Sequence, residues 1–135
     1  HCSCGSLRVI LPESVTPAVV ACHCKACQRR SGAPFGVGVY YPRADVKISG
    51  HATEYVRIAD SGGEFRTFFC PVCGTSVYWT TEKHPQSIGV ALGAIADPHF
   101  PPADPVRLGG NPARLGRNIP GNATFSEGAY LKPHP

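Results

Sequence analysis

Apolar and polar positions alternate along this chain in short runs, and the runs have the length of strands. Residues 6–11 (SLRVIL) and 18–22 (AVVAC) are rich in aliphatic and β-branched side chains; Pro12 closes the first, and the second runs straight into a cluster of cysteines. Six further segments follow at spacings of a few residues: 35–41 (FGVGVYY), 44–50 (ADVKISG), 52–58 (ATEYVRI), 64–69 (EFRTFF), 75–81 (TSVYWTT) and 87–93 (SIGVALG). Most carry β-branched or aromatic residues, which suit a pleated, half-buried surface. Between them, the polar stretch 25–32 (KACQRRSG) has room for a turn or two of helix ending at Gly32. Gly and Pro punctuate the strands and no amphipathic helix of about 11 residues is present, which argues against a doubly wound sheet. The pattern predicts a mainly β protein built from antiparallel sheets, with little helix.

The texture changes at Asp97. Eight of the 14 prolines lie between Pro98 and Pro135, with repeated glycine and few apolar runs. We expect one domain over 1–135, with a β core at 1–100 and an irregular Pro/Gly-rich segment at 101–135 lying on it; plain disorder is the alternative for about the last ten residues. A length of 135 residues suits one core and not two, and 42% hydrophobic with 16% charged residues excludes a chain disordered throughout. No run approaches the roughly 18 apolar residues of a membrane span, so no membrane partner is expected. The net charge of +4 suits an anionic small molecule as well as it suits simple solubility. The basic residues are scattered outside 25–30 and no stacking platform is visible, so nucleic acid is not expected as a partner. The chain starts at His1, and we expect that residues have been trimmed upstream, where a targeting segment would lie.

Cysteine changes the picture most. There are seven, an odd number, spaced as Cys-x-Cys and Cys-x-x-Cys, which are poor disulfide partners and good chelators. This favours metal thiolates in a reducing, cytoplasmic setting over a secreted disulfide scaffold. The segment Cys70-Pro71-Val72-Cys73-Gly74 is a zinc knuckle by its own chemistry: two sulfurs face one metal, proline stiffens the turn, and glycine tolerates a positive φ. A tetrahedral sulfur site needs a second arm, and Cys2 with Cys4 supplies it, tying the N-terminus to a distant hairpin. A redox role for Cys70 and Cys73 is weaker, since no βαβ pattern surrounds them.

Cys22, Cys24 and Cys27 remain. With Cys22 and Cys24 on a strand, period two would put both sulfurs on one face and aim His23 away, and the following turn would return Cys27 to them. Three protein ligands leave one zinc position for water or substrate, as in catalytic sites. A zinc ion on three thiolates is a soft, weakly acidic centre that favours sulfur as its fourth ligand, so a thiol substrate fits best. The competing reading is a second closed site completed by His23, or by the remote His51, His84 or His99. Lys25, Arg29 and Arg30 flank the cluster; Arg29 and Arg30 are candidates to hold substrate carboxylates, against the bland reading of a solvated basic turn. Phe35, Tyr40, Tyr55, Phe68, Phe69 and Trp79 are expected to be core aromatics without chemistry.

The order CSCGSLRV, CHCKACQRRSGAPF, GHATEY and RTFFCPVCGTSVYW closely resembles the glutathione-dependent formaldehyde-activating enzyme family, also called the centromere protein V family, over residues 1 to about 100. The resemblance implies an Mss4-like zinc fold, a structural zinc on Cys2, Cys4, Cys70 and Cys73, and a catalytic zinc on Cys22, Cys24 and Cys27. It also implies a carbon–sulfur lyase that joins glutathione to formaldehyde as S-hydroxymethylglutathione. A thiolate held in place and attacking a small carbonyl fits a cluster of this kind. Membership does not fix the thiol or the carbonyl. The alternatives are a non-catalytic Mss4-like zinc module that binds protein or nucleic acid, and a metal-free reactive thiol among Cys22, Cys24 and Cys27. A homodimer is the base-rate expectation for assembly.

Overall fold

The computed structural model describes residues 1–97, Phe100 and 107–109. Every expected strand forms. In chain order they are β1 Arg8–Ile10, β2 Ala18–Cys22, β3 Gly36–Pro42, β4 Lys47–Ser49, β5 Thr53–Ile58, β6 Glu64–Phe69, β7 Ser76–Thr81, β8 Ser87–Ala91 and β9 Arg107–Gly109. The helices are α1 Lys25–Ser31, after β2, and α2 Leu92–Ile95, after β8, with a 3₁₀ turn at Arg43–Asp45. No helix among the described residues is long and apolar enough to cross a membrane.

Seven strands form one sheet in the order β5-β6-β7-β8-β3-β2-β9, and β1 pairs with β4 in a second sheet of two strands. All pairings are antiparallel except β2 with β9, which is parallel. Strand β9 lies inside the stretch expected to be irregular; the rest of 101–135 lies outside the described residues. The short helix α2 was also unforeseen, because its residues continue the apolar run of β8 without a polar break.

Side chains alternate across a strand, and the register shows what each face of the large sheet carries. Val39 sits opposite Val90, Tyr41 opposite Ile88, and Tyr78 opposite Val90. All five are at most 8% exposed, and with Leu7, Cys2 and Cys70 they form the core. Phe68 stacks on Tyr78 at 4.5 Å and packs against that core. Tyr55 departs from expectation: it lies on the edge strand and is 58% exposed.

The other face is unusually bare. Gly36 pairs with Cys22, Gly38 with Val20, and Gly89 with both Tyr40 and Trp79. The Trp79 indole lies over the backbone of Gly38 and Gly89, and a Cβ on either glycine would fall inside its ring atoms. The indole is 2% exposed although it points away from the core. Tyr40 and Trp79 were expected among the core aromatics; Trp79 is buried, but the register places both on the face opposite Val39, Tyr41 and Val90, the face that carries the glycines of β3 and β8.

Overpacking of this kind typically destabilises by roughly 1–3 kcal/mol. The variant Gly89→Ala is therefore expected to lower the unfolding free energy in urea by that amount, through a lower midpoint at an unchanged m-value, because the new Cβ would displace the indole.

Candidate functional site

The first cysteine group is assembled by two turns of similar construction. At the N-terminus, the Cys2 amide donates to the Leu7 carbonyl at 2.9 Å and the Gly5 amide to the Cys2 carbonyl at 2.9 Å. Between β6 and β7, the Cys70 amide donates to the Thr75 carbonyl at 3.0 Å and the Gly74 amide to the Cys70 carbonyl at 2.9 Å. Gly5 and Gly74 both take the left-handed conformation, at φ 76° and 72°. Ser3 joins the turns, with its amide 3.2 Å and its hydroxyl 2.9 Å from Thr75 Oγ1.

This packing brings the sulfurs of Cys2, Cys4, Cys70 and Cys73 within 4.8 Å of one another. Cys2 and Cys4 are 3.5 Å apart, and Cys4 and Cys70 are 3.6 Å apart. Zinc bound to four sulfurs at about 2.3 Å would set neighbouring sulfurs roughly 3.8 Å apart, so the donor set fits a tetrahedral ion with shifts of at most about 1 Å. Two hydroxyls that sequence reasoning passed over support it. Ser6 Oγ lies 3.0 Å from the Cys4 sulfur and 3.2 Å from that of Cys70, and Thr75 Oγ1 lies 3.3 Å from that of Cys73. The signal was available in the matched tripeptides Cys4-Gly5-Ser6 and Cys73-Gly74-Thr75.

These contacts sort the thiols. Bonds from the Thr75 hydroxyl and amide hold Cys73 down at about 5. Burial opposes ionisation of Cys2, but the Leu7 amide and the neighbouring Cys4, Ser6 and Cys70 groups bring it to about 7.

The second group is built differently from the expectation. Strand β2 ends at Cys22, and Cys24 is not on it: Cys24 is the N-cap of α1, where its sulfur accepts from the Cys27 amide at 3.4 Å. Cys27 lies in the first helical turn and is the helix's buried residue. A strand end, a cap and a helical turn thus converge three sulfurs to within 4.8 Å. Burial, and repulsion from Cys22 and Cys24, push the Cys27 thiol up to about 12. The Cys24 thiol is lowered: burial opposes its ionisation, but hydrogen bonds from the Cys27 amide and from the neighbouring sulfurs outweigh it. Three crowded thiols that resist joint ionisation are a donor set that a divalent cation would satisfy.

His23 is not among these ligand atoms. Its ring packs against Phe35 with centroids 5.2 Å apart, and its buried Nδ1 has no hydrogen-bond partner. His51 is exposed, and His99 lies outside the described residues.

Beside the three sulfurs a cavity of about 390 Å³ opens over the bare face of the sheet, lined in part by Arg30, Tyr40, Arg57, Phe65 and Trp79. Glu64, Lys83 and His84 also reach it. Phe65 stacks beside Trp79 with centroids 6.1 Å apart, so the floor is aromatic across two strands. Arg30 lies over Trp79, its guanidinium carbon 4.3 Å from the ring centroid, and Arg57 over Phe65 at 4.7 Å. Gly36 leaves the space that the Arg30 guanidinium fills, and the buried Arg30 Nε has no hydrogen-bond partner. Arg29, its neighbour in sequence, is exposed and does not line the cavity.

A family model described as glutathione-dependent formaldehyde-activating enzyme matches residues 1–107. Among solved structures, the chain is similar to the crystal structure of a Rhodobacter sphaeroides protein determined as a structural-genomics target. The likeness has a TM-score of 0.59 at 19% sequence identity, covering 79% of this chain and 95% of that one.

The thiol ordering has a direct readout, because the thiolate is the reactive form. In metal-free protein at pH 7.4, iodoacetamide is expected to label Cys73 first and Cys27 last, as followed by peptide mass mapping. The Cys27 label appears only as the pH is raised, since its folded pKa lies far above neutrality, and added zinc protects both groups.

Proposed function

The chain belongs to the glutathione-dependent formaldehyde-activating enzyme family, and from that premise we propose that it is a zinc-dependent carbon–sulfur lyase joining glutathione, or a similar thiol, to formaldehyde or a similar small carbonyl. Cys2, Cys4, Cys70 and Cys73 would hold a structural zinc, and Cys22, Cys24 and Cys27 a catalytic one with a position left for the substrate sulfur. The observation that carries this reading is the contrast between a four-sulfur group locked between two turns and a three-sulfur group that faces a cavity.

When bound, a zinc ion on the three cysteines would favour the thiolate form of a substrate thiol at neutral pH. The remaining work falls to the protein's own groups. Gly36 and Gly38 let the Arg30 guanidinium and the Trp79 indole lie close against the sheet, which leaves the cavity open above them for a substrate to bring its sulfur to the cysteine group. Trp79 and Phe65 form an apolar floor that excludes water from beneath it. Arg30 is held over that floor at the cavity wall, where its guanidinium would take a carboxylate; Arg57 and Lys83 add positive charge to the lining. Such fixed positioning would convert an encounter of thiol and aldehyde into a reaction of held partners.

Cobalt-loaded protein gives the primary test: glutathione should change the visible spectrum of one of two cobalt sites, and a spectrum indifferent to every thiol sinks the reading. In the same assay Arg30→Ala should weaken glutathione binding at least about tenfold while Arg29→Ala leaves it unchanged, as expected for one charge-assisted hydrogen bond. The metals should also separate by consequence. Cys70→Ser is expected to lose one metal equivalent and about 10 °C or more of Tm, whereas Cys24→Ser loses the other equivalent and all catalysis with the smaller change in Tm.

A further inference from the structure

Addition of a thiolate to a carbonyl needs a proton for the oxygen that forms, and the cysteine group has none to give once it is ionised. Tyr40 is set to supply it. Strand β3 places Tyr40 on the bare face, two residues beyond Gly38, and its side chain lines the same cavity as Cys22, Cys24 and Cys27. Its hydroxyl oxygen accepts a hydrogen bond from Trp79 Nε1 at 3.2 Å. An indole nitrogen can only donate, so this bond occupies a lone pair of the phenol and leaves the phenolic hydrogen uncommitted. No other hydrogen bond to that hydroxyl forms among the described residues.

Its position is also fixed. Trp79 lies against Gly38 and Gly89 beneath Arg30, and meets the Tyr40 ring edge-on with centroids 6.0 Å apart. The hydroxyl therefore stands at a set point at the edge of the indole, with its hydrogen free to turn toward a ligand. Its charged and titratable neighbours are Cys22 at the end of β2 and Cys27 and Arg30 on α1; Cys24, Arg57, Asp60, Glu64, Lys83 and His84 also line the cavity. Burial raises the phenol against the opposing Trp79 bond, so it faces the cavity as a donor.

We propose that Tyr40 is a catalytic residue, the proton donor to the carbonyl oxygen of the aldehyde. As the thiolate sulfur forms the C–S bond, the π pair of the C=O bond moves onto oxygen, and that oxygen takes the Tyr40 proton. The tyrosinate regains a proton from water, matching the one the thiol released on ionising; the sum is thiol plus aldehyde giving the hydroxyalkyl thioether, without net proton change. In the reverse direction the tyrosinate removes the hydroxyl proton as the C–S bond breaks. This rests on the reading of the cavity as a site of thiol–carbonyl addition.

The test is the rate of exchange between glutathione and its formaldehyde adduct, followed by two-dimensional exchange NMR with metal-loaded protein. Tyr40→Phe should lower the protein-catalysed exchange roughly 100-fold, in the range of a lost general acid. Its metal content should be unchanged, and its glutathione affinity, read from the cobalt spectrum, should stay within about twofold of wild type on that reasoning. A protein carrying 4-fluorophenylalanine at position 40 fills the hydroxyl's volume without a proton to give, and should be equally slow if Tyr40→Phe packs poorly. Full exchange in either folded variant overturns the role of Tyr40 alone, as does a loss of rate that only follows a loss of glutathione binding. A wild-type protein that binds glutathione and does not accelerate exchange overturns the addition reading, and the Tyr40 role with it.

Discussion

The site depends on one close approach: the indole of Trp79 laid flat on a β-sheet where two neighbouring strands carry no side chains. Gly38 and Gly89 make that contact possible, and everything on this face takes its position from it. The Trp79 nitrogen fixes Tyr40, its ring carries Arg30, and Phe65 extends it toward Arg57. Replacing a buried indole by alanine typically destabilises by about 3–5 kcal/mol, a large share of a small domain's stability. The same residue that shapes the cavity therefore also stiffens the sheet, and the two roles cannot be varied independently.

The two cysteine groups differ in what surrounds them. Cys2 and Cys70 are fully buried and belong to the hydrophobic core, and hydroxyls and amides from both turns converge on their neighbours. A metal there would crosslink the N-terminus to the β6–β7 turn, and its binding would add directly to folding. The second group shares its surroundings with a cavity, and the polar groups that bond its sulfurs from beyond the cluster's own side chains are amides of the first helical turn, those of Ala26 and Cys27 on Cys24. A metal at the first group would have its coordination completed by protein. The second has room for something else.

Much of this was legible in the sequence. The strands stood out because each is a short β-branched or aromatic run bounded by Gly or Pro, and the division of cysteines into four and three followed from spacing alone. What was not legible has a common cause. Strands apolar on both faces give no alternation, so Tyr40 and Trp79 could not be told from core residues such as Tyr41 and Tyr78 until the pairing register was known. Cys-His-Cys read as strand because period two explains it, yet a cysteine can equally cap a helix, and Cys24 does so. Arg57, Glu64 and Lys83 come from β5, β6 and the turn after β7, and no local pattern announces that they share a cavity with residue 27.

Helix α1 shows how closely the fold and the site are bound together. Seven residues are too few to stay helical alone, since isolated helices shorter than about 12–15 residues are marginal in water. Cys27 is its single buried residue, and Arg30, one turn later, reaches over Trp79. The helix is thus held to the sheet at two points, and both are parts of the site. A cation on Cys22, Cys24 and Cys27 would join the helix to the end of β2, while the Arg30–Trp79 contact sets its rotation. Loading the second cysteine group would then do more than prepare the chemistry: it would fix where Arg30 stands, so that metal occupancy and the shape of the carboxylate subsite arise in one step. The open group would then serve as ligand set and as anchor, since its three sulfurs sit on a strand end, a cap and a helix instead of on a single loop.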